Sequence, residues 1–419
     1  MKTTVSEPET WRRVIEFEIP EADINAAVEK KLNEYRREVK LPGFRQGKVP
    51  ANVVRTRFGD AAKATVVDET IKESYKKACE EHNIAPVGGA NVTDMKENEG
   101  EPLKFTIETE VDPPIEIRGY DKLKIKPKFK KLKDSEVEEG FQNFLDRFAE
   151  FNNVERPSKK GDYVRMEYKK VVIDGIEKAE IQNPAYPVEV GSNSALKDFD
   201  KQLVGVSAGE QVEISLKFPK DYADKEAAGK TGEFSVAILA VQEKKLPELN
   251  EEFFKKFGGE FDSVDALKEK IRESMEQEEN DKAKSDAYKE VIEEIIKDNP
   301  FEVPPSRIKT FLDMMQEDFM RYRKPNEPIP TREEIAERFT EHAVFSLKRM
   351  RIIDYIADKE KIKATQEEVD KQIEVMAQRY GQEFASLKEL FRKNGTTNRI
   401  RLEIRERNTL EYLIGEGRP

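Results

Sequence analysis

The residues best suited to carry a function lie in one short loop that is rich in glycine, proline and basic side chains. Residues 43–50 read Gly-Phe-Arg-Gln-Gly-Lys-Val-Pro. Glycine and proline favour turns, so this stretch is expected to form a tip. Phe44 then places a large apolar group beside two cations, Arg45 and Lys48. An exposed aromatic side chain next to cations is typical of a loop that docks on an acidic surface.

The region around this loop carries positive charge on a chain that is negative as a whole. Between Val39 and Gly59 there are five basic residues and no carboxylate, whereas the whole chain has a formal net charge of −11. The five are Lys40, Arg45, Lys48, Arg55 and Arg57. The alternative interpretation is an ordinary solvated loop between two helices. A phosphate-binding loop is not supported, because the spacing of the glycines and the position of the lysine do not match that motif.

Other kinds of chemistry find little support in the sequence. The single cysteine, Cys79, excludes an internal disulfide and a thiolate zinc cluster. The two histidines, His82 and His342, lie 260 positions apart, which disfavours a histidine-based metal site or catalytic triad. We therefore expect no metal and no cofactor, and we interpret Cys79 and His82 as ordinary helix residues.

Length and composition limit the class of protein further. A chain of 419 residues is expected to form about two to four domains. Its 38% charged residues of mixed sign favour a solvated helical surface over a disordered tail. No apolar run approaches the roughly 20 residues of a membrane span, and the N-terminus lacks the apolar core of a secretory signal. The expectation is a cytoplasmic protein with no membrane partner.

The elements that must position the loop form a small α+β unit. Alternation of apolar and polar residues predicts strands, and apolar residues at spacings of three and four predict helices. Pro50 is expected to begin one helix and Gly59 to end it as a C-cap. The predicted order is a strand at 11–19, helices at 24–39, 50–59 and 60–82, and strands at 90–96 and 103–111.

The segment Asp112-Pro113-Pro114 forms a stiff boundary. Beyond it, the predicted secondary structure changes twice. A short helix near 137–148 precedes a β-rich stretch from Gly161 to Glu243, in which strands are predicted at 163–173, 211–218 and 233–241. After Leu249 the chain is almost wholly helical, with breaks at 299–305 and 325–330 and with Thr331 as a candidate N-cap. Helices are predicted from Val264 to the break at 299, and then at 308–323, 333–358, 365–380, 383–392 and 397–413.

The loop and the order of these segments resemble the trigger factor family, the bacterial chaperones of nascent chains. Gly-Phe-Arg-x-Gly-Lys-x-Pro matches the ribosome-docking signature of the family, and Leu-Pro-Glu-Leu at 246–249 and Asn-Pro-Phe-Glu-Val-Pro at 299–304 match its C-domain. The resemblance covers essentially the whole chain and implies a multidomain α+β fold. Its parts would be an N-terminal α/β ribosome-docking domain (1–112), a linker with the start of the C-domain (113–157), an inserted FKBP-like β-rich domain (158–245) and an elongated all-α C-terminal domain with arms (246–419).

The resemblance implies an ATP-independent chaperone at the ribosomal exit tunnel. Its docking residues, in contact with protein and RNA, would be Gly43, Phe44, Arg45, Gly47 and Lys48. The arms would form a cradle for unfolded nascent polypeptides, and a homodimer is allowed off the ribosome. Flexible methionines suit a surface that accepts many partners. Such residues are Met314, Met315, Met320, Met350 and Met376, although each of them could instead fill a core between helices.

The resemblance also implies a prolyl cis/trans isomerase in the β-rich domain. This reaction requires no nucleophile or metal, because an apolar aromatic pocket with a few donors can stabilise the twisted amide. The implied pocket residues are Tyr168, Phe199, Phe218, Tyr222 and Phe234. Three stretches depart from the family pattern. Leu-Lys-Asp-Phe at 196–199 replaces Ile-Pro-Gly-Phe, Glu-Tyr-Lys-Lys at 167–170 replaces Asp-Phe-x-Gly, and the usual Gly-Gly is absent around 177–181. We therefore predict that the fold is retained and that the activity is weak or lost.

Two other classes of function remain open at this point. One is a ribosome-independent holdase or helical assembly scaffold, which would not need the basic tip at residues 44–48. The other is a dedicated isomerase whose flanking domains only localise it, and the altered stretch at 196–199 weakens that interpretation. Ribosome binding distinguishes the first class from a docking chaperone, and turnover of proline peptides tests the second.

Overall fold

The structure is a computed structural model that describes residues 1–98, 100–178, 186–192, 199–220, 222, 225, 227–257, 262–323 and 329–416. The chain divides into two compact units. The first contains residues 1–128 and 284–419, and the second contains residues 129–283. Within the described residues, no helix combines the length and the apolar character that crossing a membrane requires.

The N-terminal part of the first unit contains a four-stranded antiparallel sheet in the order β1-β2-β4-β3. The strands are β1 (Lys2–Glu9), β2 (Arg12–Ile19), β3 (Asn91–Lys96) and β4 (Leu103–Glu110). The last three confirm the predicted strands. Sequence reasoning missed β1, because its polar composition gives no apolar alternation. Phe17 and Phe105 stack at 4.7 Å on the buried face of the sheet.

Two helices cover this face, α1 (Glu21–Glu38) and α2 (Ala51–Glu81). The predicted end of a helix at Gly59 was wrong, since α2 runs through that residue without interruption. The reason is that buried Val54, Ala62 and Val66 continue one stripe at four-residue spacing across the glycine. Burial of this stripe outweighs the penalty of about 1 kcal/mol for glycine inside a helix.

The second unit holds a six-stranded antiparallel sheet between short helices. Its elements are α3 (Asp134–Asp146), β5 (Glu150–Val154), β6 (Tyr163–Ile173), β7 (Ile176–Glu177), β8 (Tyr186–Glu189), β9 (Gln211–Lys217), β10 (Thr231–Lys245) and α4 (Glu251–Lys255). The long strand β10 pairs with β5, β6 and β9, and β6 also pairs with β7 and β8. The predicted strands at 163–173, 211–218 and 233–241 are confirmed, whereas β5 was missed because its centre is the polar pair Asn152-Asn153.

The helical region confirms the predicted array. Its helices are α5 (Val264–Asp298), α6 (Pro305–Tyr322), α7 (Arg332–Lys359), α8 (Gln366–Tyr380), α9 (Phe384–Lys393) and α10 (Thr396–Leu413). Thr331 caps α7 as predicted, with its side chain accepting a hydrogen bond from the Glu334 amide. The breaks between helices therefore lie where proline and capping residues place them. The chain is a multidomain α+β protein with an N-terminal α/β region, a central β-rich region and a helical C-terminal region.

The N-terminal sheet and α6 meet within the first unit through polar contacts. The carboxylate of Glu110 accepts a hydrogen bond of 2.8 Å from the Ser306 amide in the first turn of α6. One residue further along α6, Arg307 forms an ion pair of 2.6 Å with Asp112. A carboxylate at a helix N-terminus is favourable because amides there lack partners within the helix. The end of β4 thus caps α6 from outside the helix.

Candidate docking loop and aromatic cluster

The loop at 43–50 joins α1 to α2 and is built from two consecutive turns. The Phe44 amide donates to the Leu41 carbonyl at 3.1 Å, and the Lys48 amide donates to the Arg45 carbonyl at 2.9 Å. The Gln46 side chain also donates to the Glu38 carbonyl, at 3.2 Å. These contacts fold the loop back on the end of α1. The segment therefore has a defined tip.

Two glycines determine the conformation of this tip. Gly43 has φ +88° and Gly47 has φ +77°, values that L-residues with side chains rarely adopt. A Cβ atom at either position would meet nothing within 4 Å. Glycine is therefore needed here for its backbone conformation, and the space around it is open.

Val49 anchors the loop to the helices below it. Its side chain is fully buried in a small cluster with Leu32, Val54 and Ala62 of α1 and α2. Sequence reasoning did not single out Val49, because one valine between Lys48 and Pro50 carries no periodic signal. The anchor restricts the end of the loop while its tip stays in solvent.

The side chains at the tip face solvent. Phe44 is 41% exposed, and Arg45 and Lys48 are exposed as well. In the described part of the chain neither cation forms an ion pair, whereas Arg55 of the same basic region pairs with Glu29. The structure thus brings Gly43, Phe44, Arg45, Gly47 and Lys48 together on one exposed loop. What they contact there is a prediction that the fold alone does not test.

The five predicted pocket residues form one connected cluster of rings in the second unit. Phe234 of β10 lies at its centre, with ring centroids 5.5 Å from Phe199, 6.0 Å from Tyr168 and 6.3 Å from Phe218. Tyr222 joins through Phe218 at 4.9 Å. Tyr168 comes from β6, which pairs with β10 through an irregular step between Ser235 and Val236. The strands therefore gather side chains that lie up to 66 positions apart in the sequence.

Burial divides this cluster into core and surface. Phe199, Phe218 and Phe234 are only 4%, 5% and 8% exposed and belong to the hydrophobic core of the β-rich domain. Tyr168 is half-buried against that core, and Tyr222 is 37% exposed. Three of the five rings thus pack as core side chains, and the surface of the cluster is formed by the two tyrosines.

Gly232 allows two of these rings to pack tightly, and sequence reasoning missed it. A Cβ atom at this position would lie 2.7 Å from Phe218 Cε2 and 2.8 Å from Phe234 Cε2. Such distances are too short for any side chain unless the rings move. No sequence signal identifies this role, because a glycine near the start of a strand is usually assigned to a turn or bulge.

Several stretches that bear on the predicted isomerase lie outside the described residues. Residues 196–198, where Leu-Lys-Asp replaces Ile-Pro-Gly, are among them, as are Asp221 and residues 179–181. At the described Glu-Tyr-Lys-Lys stretch, Lys169 pairs with Glu167 at 2.8 Å. The altered turn before Phe199 therefore remains a prediction from sequence.

A group of ion pairs, which we call the clamp, joins the segment before β6 to β10, the last strand of the β-rich domain. Arg156, ahead of β6, donates to both oxygens of buried Asp162, at 2.6 and 3.1 Å, and to Glu243 of β10 at 3.0 Å. Burial alone would raise the pKa of the Asp162 carboxyl. Hydrogen bonds from Arg156 and from the Lys159 amide more than compensate, so the pKa is lowered. Nearby, burial and a hydrogen bond to Glu189 raise the pKa of Tyr163 to about 12.

The methionines of the helical region divide between surface and core. Met314, Met320 and Met350 are each about half exposed on α6 and α7. Met315 instead packs against the cluster between α6 and α7, and Met376 packs against the cluster between α8 and α10. The core interpretation thus fits Met315 and Met376. The other three give α6 and α7 an exposed, flexible apolar surface.

Comparisons with known proteins cover the same segments. The family described as "Bacterial trigger factor protein (TF)" matches residues 1–144, and its C-terminal counterpart matches residues 263–415. The family described as "FKBP-type peptidyl-prolyl cis-trans isomerase" matches residues 154–242. The three matches follow the order that the segments of the sequence predicted.

Among curated proteins, "Trigger factor" of Koribacter versatilis is 30% identical over 97% of this chain and 94% of its own length. "Trigger factor" of Geotalea daltonii is 30% identical over 100% of this chain and 97% of its own length. A solved structure, described as "Promiscuous Substrate Recognition in Folding and Assembly Activities of the Trigger Factor Chaperone", is 21% identical with a TM-score of 0.51. It covers 99% of this chain and 100% of its own and supports the fold alone. The chain belongs to the trigger factor family and carries an FKBP-type isomerase domain in its central segment.

Proposed function

We propose that this chain is an ATP-independent chaperone that docks beside the ribosomal exit tunnel and shields nascent chains. The observation that carries the proposal is the exposed tip formed by Phe44, Arg45 and Lys48. Its backbone is set by Gly43 and Gly47 and its end is anchored by Val49. A preorganised tip loses little conformational entropy on binding, and its two cations suit a surface of RNA and acidic side chains.

The domain limits predicted from sequence, with breaks after residues 112, 157 and 245, are part of this proposal.

The ribosome-independent alternative gives the exposed tip no function. Two free cations beside an exposed phenylalanine contribute little to folding. Docking accounts for all three side chains at once.

Co-sedimentation with ribosomes tests the docking. Replacement of Phe44, Arg45 and Lys48 together by alanine should lower the affinity for ribosomes at least about tenfold, which corresponds to about 1.4 kcal/mol of binding free energy. Binding of the unmodified chain should weaken as salt is raised, because phosphate contacts release counterions.

A matched control replaces one apolar and two basic side chains elsewhere on the exposed surface. Val92→Ala with Lys76→Ala and Lys77→Ala removes the same kinds of groups from α2 and β3. This control should bind ribosomes like the unmodified chain. Equal binding by the tip variant would favour the ribosome-independent holdase or scaffold.

We propose that the central domain retains the FKBP-like fold but isomerises prolyl bonds slowly. The burial of Phe199, Phe218 and Phe234 supports this, because a proline ring requires an accessible aromatic face and these rings pack against one another. The sequence adds Lys197 and Asp198, which bring charge to a turn that should exclude water. Loss of one well-placed donor and partial hydration would remove two or three factors of ten in rate, at about 1.4 kcal/mol each.

Proline-peptide turnover by the full chain tests this second proposal. The rate should lie well below that of a family member with Pro-Gly at the corresponding turn. Lys197→Pro with Asp198→Gly should raise it, and Lys217→Gln with Glu233→Gln, which likewise removes one exposed cation and one exposed anion, serves as a charge-matched control outside the turn. A rate for the unmodified chain equal to that of such a family member would refute the proposal.

We propose that the helical region holds unfolded clients independently of the central domain. The exposed Met314, Met320 and Met350 support this role, because flexible thioethers adapt to many partners. Glu150 and Lys245 are paired residues of β5 and β10, so their Cα atoms lie roughly 5 Å apart. A short glycine-serine linker in place of residues 150–245 should therefore leave the flanking helices in position.

Suppression of aggregation of a denatured client measures this holding activity. The shortened chain should retain most of it, whereas Met314→Ser, Met320→Ser and Met350→Ser in the full chain should reduce it. Met315→Ser, at a half-buried position of the same helix, is expected to destabilise the helix pair and serves as the structural comparison. Complete loss of holding by a folded shortened chain would contradict the proposal.

A further inference from the structure

The strongest concentration of positive charge in the sequence lies outside the loop at residues 43–50, which we call the docking loop. Residues 122–133 contain seven lysines and no carboxylate, on a chain with a net charge of −11. The first four of them, Lys122, Lys124, Lys126 and Lys128, alternate with other residues in the first compact unit. We call these four side chains the lysine strip.

The structure holds the strip in an extended, one-sided arrangement. Lys122 is the last residue of a single 3-10 turn at Tyr120–Lys122, and the backbone is extended at Leu123, with φ −65° and ψ 135°. Residues 123–128 belong to no helix or strand, and all four lysines are exposed. The residues between them, Leu123, Ile125 and Pro127, are half-buried. Leu123 and Ile125 pack against the large apolar cluster of the helical region. The alternate apolar side chains thus fix the segment to the helices, and the lysines point away from it.

Few acidic groups neutralise the strip. Within the described residues, its only ion pair joins Lys128 Nζ to Glu290 Oε2 at 3.9 Å, with both side chains more than half exposed. Such a pair contributes at most about 1 kcal/mol. Lys122, Lys124 and Lys126 form no ion pair in the described part of the chain. The positive charge of the strip is therefore available to a partner.

We propose that the lysine strip binds the phosphate backbone of RNA, as a second nucleic-acid contact separate from the docking loop. Side chains two residues apart on an extended chain lie roughly 6.6 Å apart. Four cations at that interval match a polymer with regularly repeated negative charge. Lysine is a compact, strongly hydrated point charge on a flexible stem, which suits phosphate recognition without sequence preference.

The strip favours a polyanion over a single anionic ligand, because it is a row in solvent and has no enclosing cavity. The choice of RNA among polyanions rests on the proposed function, since docking beside the exit tunnel brings the chain against RNA. The interaction itself requires no docking loop. It can therefore be tested without ribosomes.

Fluorescence anisotropy with a labelled single-stranded RNA of 20 uridines tests the inference on the full chain. Four contacts, at a slope of about −0.7 each, should weaken the affinity about 50-fold between 50 and 200 mM salt. Replacement of all four strip lysines by glutamine should lower the affinity about tenfold or more at 50 mM salt and remove most of the salt dependence.

The control variant carries the same change in net charge elsewhere in the first unit. It replaces the exposed lysines Lys76, Lys77, Lys363 and Lys371 by glutamine. Its RNA affinity should stay within about twofold of that of the unmodified chain. The alanine variant of Phe44, Arg45 and Lys48 separates the two proposals, since it should lose ribosome binding and still bind the RNA through the strip.

Three results would overturn the inference. The first is an unchanged RNA affinity in the strip variant, and the second is an equal loss in the control variant, which would reveal only a net-charge effect. The third is tighter strip-dependent binding to poly-glutamate or to vesicles with one-fifth anionic lipid than to RNA at the same ionic strength. That result would assign the strip to an acidic protein or to a lipid surface.

Discussion

The candidate docking loop at residues 43–50 and the aromatic cluster differ in where their conspicuous side chains lie. The loop exposes Phe44 at a tip whose side chains have little to do in folding, with backbone glycines and one buried valine beneath it. In the cluster, Phe199, Phe218 and Phe234 lie inside the hydrophobic core of the β-rich domain and stabilise its fold.

This difference shows how an aromatic residue can be assigned to folding or to binding. A phenylalanine that is 41% exposed on an anchored loop still has apolar surface in contact with water, and burial of that surface by a partner would be favourable. A phenylalanine that packs against a strand glycine, as Phe218 does against Gly232, has already gained its contacts in folding. The same residue type is therefore exposed on a loop in one region, where we propose that it docks, and is part of a core in the other.

The largest expected effect concerns the core of the cluster. Phe234→Ala should destabilise the β-rich domain by about 3–5 kcal/mol, because it removes a buried ring that contacts three others. Hydrogen exchange of the β10 amides, followed by mass spectrometry, measures this loss. Tyr222→Ala, at the exposed end of the cluster, should cost much less. Similar losses for the two variants would break the division into core and surface.

The next effect concerns the clamp of the same domain. Asp162→Asn should cost about 2 kcal/mol, since charge-assisted hydrogen bonds from Arg156 to a buried carboxylate are lost. The folded-state pKa of Asp162 is lowered, so its contribution is present at neutral pH and is lost as pH falls through that value. Acid unfolding of the unmodified chain should therefore be steeper than that of the variant. Glu243→Gln, at an exposed partner of Arg156, should have a smaller effect on both stability and its pH dependence.

A smaller effect is expected at the glycines of the loop. Gly43→Ala and Gly47→Ala should each cost about 1–2 kcal/mol, because a side chain disfavours their positive φ even in open space. Part of this cost should appear as weaker ribosome binding, since the tip would relax to another conformation. Gly43→Asn is the control, because asparagine tolerates positive φ better. Full binding by both alanine variants would show that the tip needs no fixed backbone.

The smallest effect on stability is expected at the tip itself. Replacement of Phe44, Arg45 and Lys48 by alanine should change the free energy of unfolding of the first unit by no more than about 0.5 kcal/mol. Calorimetry of the full chain measures it. A loss comparable to that of Phe234→Ala would mean that the tip packs in folding, and the contrast between the two regions would disappear.

Local patterns in the sequence predicted most elements and the exposed loop at residues 43–50. Alternation located β2, β4 and β6, and proline breaks with Thr331 located the ends of the long helices. Glycine and proline around Phe44 predicted a tip, since turn chemistry depends on neighbouring residues alone. These features could be predicted from the sequence because the residues that cause each of them lie within a few positions of one another.

The tertiary structure decided what depends on distant partners. Strands β1 and β5 are polar in sequence and form because β2 and β10 offer them hydrogen bonds. Helix α2 passes through Gly59 because its stripe is buried on α1 and the sheet. The division of the five rings into core and surface, and the role of Gly232 beneath two of them, follow from packing between strands that the sequence separates by tens of residues. Burial is a property of the assembled fold. The sequence therefore identified these side chains as candidates but could not assign each of them to the core or to the surface.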